Sequence, residues 1–226
     1  MSKKPNNKHN KHNKDNNKDN KDVQLSKDLS FTLRHGAPKQ GLKIRSDGFI
    51  KMSELLAHPK YKSQTLENNT RIVNESDKQR FLIEEIDDEL YIRANQGHSL
   101  DVKVQIKQIL SLDEIPQSEG VIHGTYQKLW PLIKKSGLKK ITRQHIHFAI
   151  GLPSDDGVIS GMRKTCDMVI FFDLAAAIAD GVEFFLSENL VILSPGVDGV
   201  LDPKYFSHVL SYPDLKPFDP DFPAQK

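Results

Sequence analysis

The apolar positions of this chain follow one rhythm up to about residue 100 and another after it. In the first stretch Leu25, Leu29 and Leu33 recur every four residues, which predicts one buried stripe on a helix that carries Arg34 and His35 near its end. Gly36 and Pro38 should stop that helix. Ser46-Asp47-Gly48 marks a turn, and Ser53 is placed to N-cap a short helix over Glu54 to Ala57. Leu66, Thr70 and Val73 predict a further helix. Arg80 to Ile86 and Leu90 to Ala94, on either side of the polar Asp87-Asp88-Glu89, predict a hairpin. Helices followed by a hairpin form a winged-helix pattern, here over residues 23–100.

The second stretch, residues 101–212, is dominated by short strands. Residues 101 to 119 lead into it, and Val121-Ile122 then runs into His123-Gly124-Thr125. A helix is expected from about Pro131 to Gly137. Gln144 to Ile150 alternates, with His145 and His147 on one face and Ile146 and Phe148 on the other. Met168 to Phe172 predicts a strand and Leu174 to Ala179 a helix closed by Gly181. Glu183 to Leu186 and Leu190 to Leu193 flank the turn Ser187-Glu188-Asn189. A mixed or antiparallel β lobe follows, and the fold class is α+β. After Tyr212 the Pro-rich residues 213–226 are expected to be irregular.

Composition changes this picture mainly at the amino terminus. Residues 1–22 are Asn, Lys, His, Asp and a few other residues, with no hydrophobic side chain after Met1, and are expected to be disordered because they bury too little to offset ordering entropy. That segment holds seven Lys and three Asp, a net +4, against +2 for the whole chain, so the remainder is about −2. An anion site in the folded body must therefore come from local clustering of cations rather than from a basic surface. The single Cys166 forms no intramolecular disulfide and no cysteine pair for a metal. With no signal segment and no long apolar run, a soluble, intracellular, cytoplasmic protein is expected, and a monomer.

The unusual polar residues gather in a few stretches: Leu33 to Gly36, Ile92 to Ser99, His123 to Thr125, and Ile159 to Arg163. Three arginines there lie close to Gly, where backbone can approach a ligand, and a guanidinium fork suits phosphate. Taken singly, each is ambiguous. Arg34 could only satisfy the last helix carbonyls, and Arg93 could be a solvated or ion-paired strand residue. His145 and His147 are two metal ligands or two polar-face residues, with no further ligand evident. His123 could be a structural turn histidine, and Asp173 a helix cap. Walker, GxGxxG, HExxH and GxSxG patterns are missing from the sequence.

Read in order, these stretches resemble the RNA 2′-phosphotransferase family, the KptA and tRNA 2′-phosphotransferases. The resemblance rests on Leu33-Arg34-His35, Asp47-Gly48-Phe49-Ile50, Asp77-Lys78-Gln79-Arg80-Phe81, Ile92 to Ser99, and His123-Gly124-Thr125 with Trp130 and Gly137-Leu138. His145-Ile146-His147 and Ser160-Gly161-Met162-Arg163 with Cys166-Asp167 complete it, and it spans about Leu25 to Leu210. It implies an RNA-binding winged-helix lobe and a carboxy-terminal lobe of the ADP-ribosyltransferase fold. It implies NAD⁺ as co-substrate, an RNA with an internal 2′-phosphate (spliced tRNA in eukaryotic members) as substrate, and no metal. The 2′-phosphate would attack the nicotinamide ribose to give ADP-ribosylated RNA. Attack by the 2″-hydroxyl on that phosphate would then release 2′-hydroxyl RNA and ADP-ribose 1″,2″-cyclic phosphate.

The family's essential Arg-His-Arg-Arg set maps onto Arg34, His35, Arg93 and Arg163. The resemblance gives the cofactor to His123, Gly124, Thr125, Ser160 and Gly161 and to one or both of His145 and His147, and RNA contacts to Gln96, His98 and Ser99. The late strand Leu190 to Leu193 lacks the catalytic Glu of protein-modifying relatives of that fold. Two other readings stay open: a nucleic-acid phosphate ADP-ribosyltransferase that stops after the first step, and a non-catalytic winged-helix RNA-binding protein.

Overall fold

The computed structural model describes residues 9–76, 78–116, 120–152, 162, 165–219 and 222. Helix α1 spans His9–Phe31 and turns directly into a single π turn, Thr32–Gly36. Leu25, Leu29 and Leu33 are buried as the stripe predicts. The helix begins at His9, within the Asn- and Lys-rich segment that ends at Asp22. Once the packed end of a helix exists, each added residue gains a hydrogen bond without a new nucleation cost. The Asp22 carboxylate also takes both terminal nitrogens of Arg71, at 2.7 and 2.8 Å.

Strand β1 (Ile50–Lys51) leads into α2 (Met52–Ala57), and α3 covers Leu66–Asn74. Lys51 rather than Ser53 is the N-cap of α2, with no side-chain bond, because Met52 is drawn into the core as the first helical residue. Strands β2 (Phe81–Ile86) and β3 (Glu89–Ala94) form the expected hairpin. Its two turn residues, Asp87 and Asp88, both have positive φ, the backbone that matches strand twist in a two-residue hairpin. The sheet order β1-β3-β2 backs a core of Leu29, Leu33, Ile50, Leu55, Tyr61, Ile72 and Ile92.

The remaining elements are β4 (Lys107–Ile109), β5 (Val121–Thr125), α4 (Trp130–Ser136), β6 (Leu138–Lys139), β7 (Ile146–Ile150) and β8 (Met168–Phe172). They are followed by α5 (Leu174–Ala179), β9 (Phe184–Leu186), β10 (Ile192–Ser194), β11 (Val200–Leu201) and β12 (Phe206–Ser211). Seven strands form one antiparallel sheet in the order β12-β8-β5-β7-β10-β9-β4, while β6 and β11 pair apart from it. Its core is aromatic, with Phe148, Phe172, Phe184, Phe206 and Trp130 packed together. Asp173 caps α5 by accepting from Ala176 N–H at 2.9 Å. The α+β class holds, and no helix among the described residues is long and apolar enough to cross a membrane.

Of residues 213–226, those described, 213–219 and 222, form no helix or strand and pack onto the large sheet. Pro217 bridges to Leu210, Phe218 N–H donates to the Val209 carbonyl, and Phe222 packs edge-on against Trp130 at 5.2 Å. The Trp130 indole N–H needs an acceptor once buried, and Asp219 supplies it at 2.7 Å.

Four side chains fasten the three-stranded sheet and its helices to the large sheet. Gln144 Nε2 donates to the carbonyls of Leu100 and Val102, and Asn189 Nδ2 to the carbonyl of Lys78. Lys78 Nζ donates to the Met162 carbonyl at 2.9 Å, and Arg93 Nη2 to Glu188 Oε1 at 2.8 Å. Because Leu29 is fully buried in the core beneath Arg34, Leu29→Ala should lower unfolding free energy by about 2–5 kcal/mol. A urea denaturation series with unchanged slope checks it.

Candidate active site

The π turn decides where Arg34 and His35 stand. Ala37 N–H donates five residues back to the Thr32 carbonyl at 2.9 Å, and buried Thr32 is pinned by Tyr61 Oη at 2.6 Å. Such single wide turns re-aim side chains that a regular helix would place elsewhere. Across from them runs the stretch Gln96 to Ser99. Gly97 has φ +88°, and a Cβ on it would lie 3.5 Å from the Arg34 side chain. Ser99 N–H donates to the Arg34 carbonyl at 3.0 Å, and Ser99 Oγ lies 2.8 Å from His35 Nδ1. His98 is buried between them.

Positive charge accumulates around this pair. Burial, then the charges of Arg143 and Arg80, bring the Arg34 pKa down to about 10, so the group stays charged at neutral pH in a field it opposes. Burial, then Arg34 and Arg143, lower His35 and favour its neutral form. Arg34 Nε is buried without a hydrogen-bond partner among the described residues. Guanidinium groups gathered in this way are stabilised by an incoming anion, most strongly by a phosphate dianion that accepts from several at once.

Arg80 and Arg143 were not singled out from the sequence. For Arg143 the signal was its place immediately before the alternating run Gln144 to Ile150 that carries the two histidines. Arg93 sits differently. It is 3% exposed, bonded to Glu188, stacked over Phe49 at 5.1 Å, and its Nη1 is buried without a partner among the described residues. Its charge reaches His98 rather than Arg34. Arg163, Ser160 and Gly161 lie outside the described residues.

A cleft of about 420 Å³ opens beside this cluster, and the sheet itself creates it. Strands β5 and β7 pair only at Val121 with Ile150 and at Ile122 with Ala149. Beyond that point β5 stays on β8 through Thr125, and β7 stays on β10 through Ile146, so the two diverge. In place of a ladder bond, His123 Nδ1–H donates to the His147 carbonyl at 2.9 Å. That fixes the tautomer and leaves Nε2 as an acceptor. His123, Gly124, Thr125, Arg143 and both His145 and His147 line the cleft. A Cβ on Gly124 would collide with the Met162 side chain, so backbone alone fits there. His147 Nε2 is buried with no partner among the described residues. At the rim, Ile141 is 86% exposed with φ +56°, a strained conformation for a β-branched residue. Among the described residues no third His, Cys, Asp or Glu groups with His145 and His147.

The sequence pattern of the RNA 2′-phosphotransferase, Tpt1 / KptA family matches residues 20–196. This chain belongs to that family. It is 47% identical to the tRNA 2′-phosphotransferase 1 of Danio rerio over 188 residues, 82% of this chain and 84% of the relative. The tRNA 2′-phosphotransferase 1 of Homo sapiens is 46% identical over 200 residues, 86% of this chain and 78% of the relative. The tRNA 2′-phosphotransferase of Saccharomyces cerevisiae is 38% identical over 182 residues, 77% and 79%. The matched span contains Arg34, Arg80, Arg143 and the diverging strands, so the cluster and the cleft both lie within the family's shared body.

The buried histidines of this family member make its stability acid-sensitive. Burial first, then Arg34 and Arg93, push His98 down to about 3, and burial, then Arg143, holds His147 well below the usual imidazole value. A depressed folded pKa means that the unfolded chain takes up protons first as pH falls. Stability is thus full above about 6.5 and declines toward 3, by about 1.4 kcal/mol per pH unit for a histidine such as His98. Urea midpoints measured from pH 7.5 to 4 should show the decline, and His98→Gln should flatten it.

Proposed function

We propose that this protein removes an internal 2′-phosphate from RNA, with NAD⁺ as the co-substrate that receives it. The observation that carries the reading is Arg143. It lines the strand cleft and its charge acts on both Arg34 and His35, so a dinucleotide in the cleft and a phosphate on the arginines would meet at one residue. In this reading residues 23–100 are a winged-helix lobe that holds RNA, in keeping with helices followed by a hairpin. Residues 101–212 are a lobe of the ADP-ribosyltransferase fold, in keeping with two central strands that part around a ligand. A tRNA is the substrate suggested by the names of the relatives.

The residues present fit a dinucleotide. The bare backbone of Gly124 would take the carboxamide, His123 a ribose hydroxyl, and the unpartnered His147 Nε2 a further polar group, with Thr125, His145, Ser160 and Gly161 completing the site. NAD⁺ supplies an anomeric carbon with nicotinamide as leaving group. In the first step a 2′-phosphate oxygen bonds to that carbon as the glycosidic bond to nicotinamide breaks. Arg34, Arg80 and Arg143 orient the dianion, since a nucleophile fixed near its target avoids most of the entropic barrier. In the second step the ribose 2″-hydroxyl gives up its proton as its oxygen bonds to phosphorus, the bond to the RNA 2′-oxygen breaks, and that oxygen takes a proton. The arginines stabilise charge on the phosphoryl oxygens, with Arg163 and Arg93 in the same role by family position. His35, neutral and held at Nδ1 by Ser99, exchanges that proton through Nε2. Gln96, His98 and Ser99 meet the RNA.

Incubating the protein with NAD⁺ and an RNA bearing one internal 2′-phosphate, then resolving both products, tests this. Free 2′-hydroxyl RNA with ADP-ribose 1″,2″-cyclic phosphate is the expected outcome, undiminished in excess chelator. Persistent ADP-ribosylated RNA would restrict the enzyme to the first step, and unchanged RNA would sink the reading. Arg143→Ala should cut kcat by about 100- to 1000-fold, the scale for losing one preorganised charge stabiliser, with thermal melting little changed.

A further inference from the structure

The seam holds a second cavity, of about 370 Å³, on the other side of the Gln144-His145 segment from the strand cleft. Val102, Val104, Ile106 and Leu193 give it apolar walls. Asn95 and His98, 5% and 2% exposed, also line it, and each carries a buried atom without a partner among the described residues, Asn95 Oδ1 and His98 Nε2. Both atoms are sealed within the wall, while the polar Gln96 and Gln144 of the lining stand among its apolar residues. Lys103 and Lys140 add two cations to the lining.

We propose that this cavity receives the base of a nucleotide adjoining the one that carries the 2′-phosphate. The proposal rests on the phosphate-binding reading of Arg34 and His35. Its geometry comes from the four residues Gln96 to Ser99: Gln96, Gly97 and His98 line the cavity, while Gly97 also abuts Arg34 and Ser99 bonds to His35. Cavity and phosphate cluster are thus two sides of one short segment, within the reach of a neighbouring nucleotide. A flat heterocycle suits the apolar walls of Val102, Val104, Ile106 and Leu193, and the Gln96 amide beside them suits its polar edge; His98 stands behind that edge as a buried ring. Burial keeps His98 neutral. The two lysines suit the phosphodiesters on either side of such a base.

The test is binding in the absence of NAD⁺, read by fluorescence anisotropy. Labelled RNAs carry one 2′-phosphate and an abasic residue immediately 5′ or 3′ to it, with the 2′-hydroxyl RNA as control. One abasic position should weaken binding by about 5- to 100-fold, the scale of a lost base contact, and the other little. Val104→Trp, which fills the cavity, should weaken the intact RNA to the abasic level while still preferring 2′-phosphate over 2′-hydroxyl. That retained preference shows that the variant is folded. Two abasic RNAs that bind like the intact one, with the 2′-phosphate preference present, would overturn the proposal alone. Val104→Trp that loses NAD⁺ affinity but keeps full base dependence would overturn it in favour of the adenine of NAD⁺. Equal binding of 2′-phosphate and 2′-hydroxyl RNA would overturn the underlying reading and the proposal with it.

Discussion

The structure is organised around a concentration of like charge at the seam of its two cores. Arg34 comes from a helix end, Arg80 from the approach to a hairpin, and Arg143 from the approach to β7, yet the charges of the last two both act on Arg34. Such groups repel, so the fold has to hold them. The carbonyls of His98, Leu100 and Val102 all accept from Gln144, through its backbone N–H or its side-chain amide, which ties the segment beside Arg34 to the strand that follows Arg143. A hydrogen bond to a neutral amide fixes position without cancelling charge. Around Arg34 the field stays positive, since burial and the charges of Arg143 and Arg80 all act against its own charge.

The histidines follow from the same field. His35, His98, His123 and His147 are all lowered, with burial as the first cause and arginines among the others. An imidazolium at any of these positions would add to the repulsion. Kept neutral, each ring works as a directional hydrogen-bonding group and adds no charge to the seam. His123 shows the benefit: its ring bonds to the His147 carbonyl where the strands part, which satisfies a backbone acceptor that would otherwise lose its partner. A histidine therefore stabilises the opening of the sheet and the cleft that results.

Much of this was legible in the residues. The Leu25, Leu29, Leu33 stripe, the β2–β3 hairpin, β8, and α5 with its Asp173 cap stand where local pattern puts them, because each is decided by neighbours in sequence. The ordered stretches from Leu33 to Asp167 pointed to the family. What the residues did not show has its physical origin in distant contacts. Phe222 and Asp219 look like tail residues until Trp130, 89 positions before Asp219, supplies a partner. Lys-rich residues before Asp22 carry no helix pattern, yet a packed helix downstream extends through them from His9. The cation cluster is the clearest case, since Arg34, Arg80 and Arg143 become neighbours only when a π turn, a hairpin and a seven-stranded sheet are assembled.

Arg93 shows how far an arginine's role depends on what surrounds it. In sequence it is indistinguishable from a phosphate ligand: it lies four residues before Gly97, on a strand that ends beside the site. In the fold its ring-like guanidinium lies over Phe49 and bonds to Glu188, a half-exposed carboxylate on the loop between β9 and β10. A buried charge with a partner on the opposite core ties those cores together, and removing that partner would leave a desolvated cation. Even so, its Nη1 remains unsatisfied, and its charge acts on His98, which borders both the phosphate cluster and the second cavity. One guanidinium thus braces the seam through Glu188 while its field reaches the segment on which phosphate and base would converge. The strut and the site share a residue because the site is built where the cores meet.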